Sequence, residues 1–392
     1  MTSDIPASSL IDSDQVYLEI PAALRSSEPI NAAFSTAGGR WRSWLNQLCL
    51  NTVLAWLQAD YAPTAKVATH LAALPSFWEV VNGTAIAIST PRPLRLVVIP
   101  SVTIDTQELR VPQEWVDIPT WVADYYLWVQ VNIDAGWIRI VGQTTHEDLK
   151  LRGTYDADDR AYCLEESELI DFNVLWVTQQ LCPSISVRAE IEPLPTLPLA
   201  QAENLLTRLG NARVVFPRFA VPFPLWGALL EHGGWRQQLY ERRQGWTEQW
   251  SVQQWLQSGV SQVAQQLGWE PILLQPVLSG MRSAEPTEPT LSLSRPLTIA
   301  GDPYELLVIP QGDPADRIWH FELHSTIAGR GIPNGFTLRL LTEDLQPFEH
   351  NEDIASEERD RLYIEVMVEP GEGLVWEIEP LPEAYDREIL RF

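Results

Sequence analysis

The chain has 392 residues, with 27 Lys plus Arg against 52 Asp plus Glu, a formal net charge of −25. That acid excess excludes non-specific nucleic-acid binding, which needs cationic side chains to displace phosphate counterions, and docking on an anionic membrane face. With 45% hydrophobic and 20% charged residues the composition is globular, and a chain this long builds a core without a disulfide staple or a structural metal.

Residues 1–21 carry no basic segment followed by an apolar one, so no secretory signal is expected, and no window approaches the ~18 continuous apolar residues of a spanning helix. The expected location is cytoplasmic. A short strand is predicted over 16–20, and Gly38-Gly39 precede a helix over 41–57. There Trp41, Trp44, Leu45, Leu48, Cys49, Trp56 and Leu57 fall three and four apart and form one apolar stripe. Strands are predicted over 85–88, 94–99, 125–133 and 137–141, the last two joined by a turn at Asp134-Ala135-Gly136.

Pro193, Pro195 and Pro198 then hold the chain extended. Short helices are predicted over 201–209, 225–231 and 235–243. Val252, Trp255, Leu256, Val260, Val263 and Leu267 mark one more helix, stopped by Gly268. A flexible loop is expected over 279–290, with strands over 272–274, 306–309, 318–323 and 336–341. A hairpin is predicted from strands 362–368 and 374–378 around Pro370-Gly371-Glu372-Gly373. Four short matches recur in order between the two ends of the chain. They are Trp44-Leu45 with Trp255-Leu256, residues 96–100 with 306–310, 136–140 with 335–340, and Glu147-Asp148-Leu149 with Glu343-Asp344-Leu345. They predict an internal duplication.

The fold class expected is therefore α+β: two related halves, each an amphipathic helix packed on a mainly antiparallel sheet, joined by a Pro-rich helical middle segment. The boundaries are 1–192 for the N-terminal half, 193–250 for the linker with short helices, and 251–392 for the C-terminal half.

Several segments resemble a known family. They are residues 113–119 (QEWVDIP), 124–132, 173–177 (NVLWV), 338–349 (LRLLTEDLQPFE) and 370–380 (PGEGLVWEIEP). Together they resemble the cyanobacterial domain-of-unknown-function family eighteen twenty-two. The resemblance implies no reaction and no catalytic residues. Members of that family are commonly encoded near extracytoplasmic-function-type sigma factors, which implies a regulatory setting.

Motifs that carry chemistry are sparse. Phosphate loop, dinucleotide fingerprint, nucleophile elbow and H-E-x-x-H are all missing, and the three cysteines, Cys49, Cys163 and Cys182, form no C-x-x-C. His320, Glu322 and His324 alternate on one strand face, where neighbours two apart could share a metal, yet a solvated strand face explains them more simply. The acidic segment 155–160 lacks the glycine and terminal Glu of a calcium loop and reads as a surface loop with Arg160 as counter-charge. Metal and cofactor are accordingly not expected.

Trp44, Trp56 and Trp255 read as core, whereas Tyr126 and Trp128 share a strand face with Gln130 and Asn132 and form a candidate aromatic surface for a sugar or a partner protein. In the predicted C-terminal hairpin Glu365, Glu369, Glu377 and Glu379 crowd one sheet face, and opposed like charges require a basic counterpart. Arg339 and Arg361 are internal candidates; a basic partner is the external one. The functional expectation is a non-catalytic regulatory or adaptor protein that binds a basic protein partner, a sigma factor among the possibilities. A carbohydrate-binding protein and a hydrolase assembled from dispersed residues are the alternatives.

Overall fold

Thr36 starts the first long helix, Ala37–Asp60, by accepting the backbone N–H of Gly39 on its hydroxyl at 3.0 Å. The two glycines therefore lie inside the first turn rather than before it. A Cβ at Gly39 would stand 3.3 Å from both Thr36 Oγ1 and Glu79 Oε2, which explains a small residue at this point. The computed structural model describes residues 15–25, 34–89, 93–102, 107–182, 185–246, 249–274, 289–312 and 317–392. Most of the loop expected over 279–290 lies outside them. The chain divides into two compact units: one runs up to Ala68 and resumes over Phe77–Leu194, the other joins Thr69–Ser76 to Pro195–Phe392.

In the first unit the long helix buries Leu45, Leu48, Cys49, Val53 and Leu57. Its sheet has the order Val16–Glu19, Trp137–Thr145, Tyr125–Asn132, Leu94–Ser101, Thr84–Ile88, Lys66–Val67. Every pairing is antiparallel except that of Leu94–Ser101 with Tyr125–Asn132. The turn at residues 134–136 forms as expected: Gly136 sits at φ +77° and its N–H reaches Asn132 O at 2.9 Å. A small sheet, Glu108–Pro112, Ala161–Glu165 and Thr154–Asp156, completes the unit and escaped the pattern of the sequence.

The second unit is built on two antiparallel sheets. One runs Glu270–Leu274, Thr290–Ile299, Asp302–Gln311, Ile318–Ser325, Arg361–Met367; the other runs Glu352–Ile354, Thr337–Thr342, Gly373–Glu379, Ile389–Arg391. Their apolar faces meet in one core, with Val308, Phe321 and Ile364 from the first and Leu340, Trp376 and Ile378 from the second. This corrects the expected C-terminal hairpin. Arg361–Met367 pairs with Ile318–Ser325, and Gly373–Glu379 pairs with Thr337–Thr342 and Ile389–Arg391. Each strand has one apolar face, and facing those across the core buries both, whereas side-by-side pairing leaves them in one plane.

Two further expectations change. The helix over 252–267 is two, Val252–Ser258 and Gln262–Gln266, because Gly259 takes φ +95° and Ser261 caps the second piece. The duplication is not reproduced in the topology. Leu94–Ser101 has a parallel neighbour where Asp302–Gln311 has two antiparallel ones, and Glu147-Asp148-Leu149 is helical where Leu345 turns at φ +62°. The middle segment is not a linker either. Its helices Leu199–Leu209, Phe223–Glu231 and Gly233–Gln244 group with the C-terminal unit, and the last is almost wholly buried.

Candidate functional site

The four glutamates of the expected acidic face are dispersed. Glu365, on the edge strand Arg361–Met367, stands opposite His320. Glu369 pairs with Arg317, Glu377 with Arg387 at 2.8 Å, and Glu379 with Arg339 at 3.3 Å. Arg339 thus performs the expected neutralisation for Glu379 and also pairs with Glu352, while Arg361 turns to Glu322 at 2.9 Å. The acidic residues are densest in sequence over 349–360, where most of them are exposed. Glu349, Glu352, Asp353, Glu357, Glu358 and Asp360 lie on or next to the edge strand Glu352–Ile354, and two guanidiniums pair with them: Arg359 binds Asp353 at 2.7 Å and Arg339 binds Glu352 at 3.1 Å. Ile354 is half exposed in their midst.

Tyr126 and Trp128 are 0% and 1% exposed, so the expected aromatic surface does not exist. Their strand is central in its sheet and covered on both faces. The Tyr126 hydroxyl donates to Trp115 O at 2.7 Å, and Trp128 lies at the floor of a cleft of about 350 Å³. The cleft's exposed ring is Trp41. Its volume falls in the range of small-molecule sites, roughly 300–1,000 Å³, but its cations are engaged within the chain. Arg42 binds the carbonyls of Trp78 and Glu79; Arg110 binds Glu108 at 2.6 Å, Asp156, and Asp159 at 3.2 Å. The hydrogen bond to Asp156 raises the Arg110 pKa and lowers that of Asp156. Arg110 therefore supplies counter-charge to the acidic 155–160 loop.

The strongest concentration of perturbed groups lies in the second unit, where buried carboxylates meet tryptophan N–H groups. Trp235 Nε1 donates to Glu343 at 3.2 Å, Trp250 Nε1 to Glu241 at 2.9 Å and Trp269 Nε1 to Glu388 at 2.7 Å. Arg391 backs Glu343 at 2.8 Å and Arg295 backs Glu388 at 3.2 Å. Burial pushes the pKa of both Glu343 and Glu388 up, against the pull of those guanidiniums. Burial also pushes His232 down to about 3, so its ring is neutral, with Nε2 3.0 Å from Glu343 O. The adjoining cavity, lined by Gly233, Gly234, Trp250, Asp386, Arg387 and Glu388, holds about 20 Å³. That admits one water and no substrate. The arrangement satisfies buried charge with neutral and cationic donors. Sequence reasoning treated tryptophan as apolar mass and missed its use as a donor; the joint excess of Trp and acid was the signal.

His320, Glu322 and His324 share the outward face as expected. His324 Nε2 lies 3.3 Å from Glu305, Glu322 is held by Arg361, and His320 Nδ1 is 3.4 Å from Gln311 Nε2. Among the described residues no group of three or more His, Cys, Asp or Glu side chains is arranged to hold a metal ion. No described helix is long and apolar enough to cross a membrane.

These features define an α+β protein whose perturbed carboxylates are sealed in a core and whose acidic excess is carried on its surface. The chain belongs to the family described as protein of unknown function (DUF1822), whose model matches residues 18–391. No curated protein and no solved structure gives a significant match.

Proposed function

We propose that this is a non-catalytic, cytoplasmic regulatory or adaptor protein that binds a basic protein partner. The observation that carries the reading is the acidic edge at 349–360, with its six carboxylates around an exposed Ile354. A charge of −25 attracts cationic surfaces over distances on the order of the Debye length, about 8 Å at physiological ionic strength. The apolar side chain amid the carboxylates supplies short-range contact once the partner arrives. The buried Trp–carboxylate network supports the same reading, since the cavity beside Glu388 has room for about one water. A sigma factor, with its basic DNA-binding surface, is the first partner to test.

The test neutralises Glu349, Glu357 and Asp360, which leaves the Arg339–Glu352 and Arg359–Asp353 pairs intact. E349Q/E357Q/D360N should weaken binding to a purified basic partner by about tenfold, mainly through the association rate, and flatten its salt dependence. Binding indifferent to both salt and these substitutions, or turnover of a small substrate, would refute the proposal.

A further inference from the structure

One region of this acidic chain has the opposite character. From Asn204 through Leu230 there is no Asp or Glu, while Arg208, Arg213 and Arg218 fall within it. The same stretch exposes apolar side chains: Phe216 is 68% exposed, Val215 54%, and Phe219 lies beside Phe216 with ring centroids 6.3 Å apart. We infer that this surface docks a partner segment in which carboxylates flank a bulky apolar side chain, and that it is separate from the acidic edge.

The surface is built rather than incidental. Arg208 donates to Ala220 O at 2.6 Å and Arg242 to Thr207 Oγ1 at 3.1 Å. Buried Arg243 holds Leu209 O and Val214 O, each at 3.0 Å. Pro217 is buried beneath the loop, and Arg218 lies over the Phe219 ring, 5.0 Å from its centroid. Bonds to carbonyls and hydroxyls fix a guanidinium without neutralising it. Among the described residues Arg208, Arg213 and Arg242 bind no carboxylate, so their charge remains available beside two exposed rings. A flat apolar site takes any hydrophobic segment; three uncompensated cations select one that brings carboxylates. An anionic membrane satisfies the same local chemistry, but it would repel the rest of a molecule carrying −25. The protein segment is therefore the assigned occupant.

The test selects short random peptides displayed on phage against the full chain. The wild type should enrich peptides with Asp or Glu around Leu, Phe or Trp. One enriched peptide, synthesised and measured by fluorescence anisotropy, should bind R213E/R242E and F216S about tenfold more weakly. Its Lys-substituted counterpart should prefer R213E/R242E over the wild type, which damage to the fold cannot produce. E349Q/E357Q/D360N should bind the peptide like the wild type, so that failure of either surface is distinguishable from failure of the other. Enriched peptides without acidic bias, or affinities unchanged in both patch variants, would overturn the inference. So would recovery of no peptide while the chain co-sediments with vesicles of equal phosphatidylcholine and phosphatidylserine.

Discussion

Arg295→Met tests whether the Trp–carboxylate network is a structural device. Arg295 is the guanidinium beside Glu388, whose carboxyl is buried at 7% side-chain exposure and also accepts from Trp269. Removing the positive charge while keeping the volume strands Glu388 in the core with neutral tryptophan donors alone. Breaking a buried pair in this way costs about 3–5 kcal/mol. For a unit of this size each kcal/mol moves the melting temperature by about 2–4 °C, so R295M should melt roughly 6–20 °C lower at neutral pH.

The pH dependence has a definite sign. Burial raises the Glu388 pKa and Arg295 opposes it, so loss of Arg295 raises it further. A carboxyl whose pKa is raised on folding binds its proton more tightly in the folded state. Its contribution to stability is therefore largest in acid and is lost as pH rises through the folded value. The deficit of R295M relative to the wild type should thus grow between about pH 5 and pH 8. Calorimetric scans across that range provide the assay. R295M/E388L, which removes both charges, should recover most of the loss. A deficit below about 1 kcal/mol, or one flat with pH, would refute the reasoning.

Three further outcomes follow from particular contacts. Trp128→Ala should destabilise the protein by about 3–5 kcal/mol in urea titration, because a buried ring leaves a cavity; near-neutrality would return Trp128 to the surface. Thr36→Ala should cost about 1 kcal/mol by the same measurement, through loss of the Gly39 N–H acceptor. With Ellman's reagent on the native protein only Cys182, which is exposed, should react quickly. Cys49 and Cys163 are buried, with thiol pKa values pushed up, Cys163 to about 11, and should react only on unfolding.

Local patterns were legible in the sequence wherever neighbours along the chain decide the structure. Of the predicted stripe, Leu45, Leu48, Cys49 and Leu57 became a buried helix face while Trp44 and Trp56 are only partly buried and Trp41 is exposed, and residues 134–136 became the expected turn. Partner choice was not legible. The connection between Arg361–Met367 and Gly373–Glu379 is short enough for a hairpin, yet it turns a corner between sheets, because only the packed core decides which strand lies beside which. Trp128 misled for a related reason: alternation along one strand cannot report whether a second layer covers its other face. The Trp–carboxylate network was hidden by distance, since Trp235 meets Glu343 across 108 residues and Trp269 meets Glu388 across 119.

The measurement that most directly tests the adaptor reading is affinity purification of the full chain from its native cell, at low and at high salt, with mass spectrometry of what is recovered. A basic protein should be retained by the wild type at low salt and depleted both at high salt and with E349Q/E357Q/D360N. Recovery of no basic partner, or of one indifferent to salt and to those three carboxylates, would contradict it.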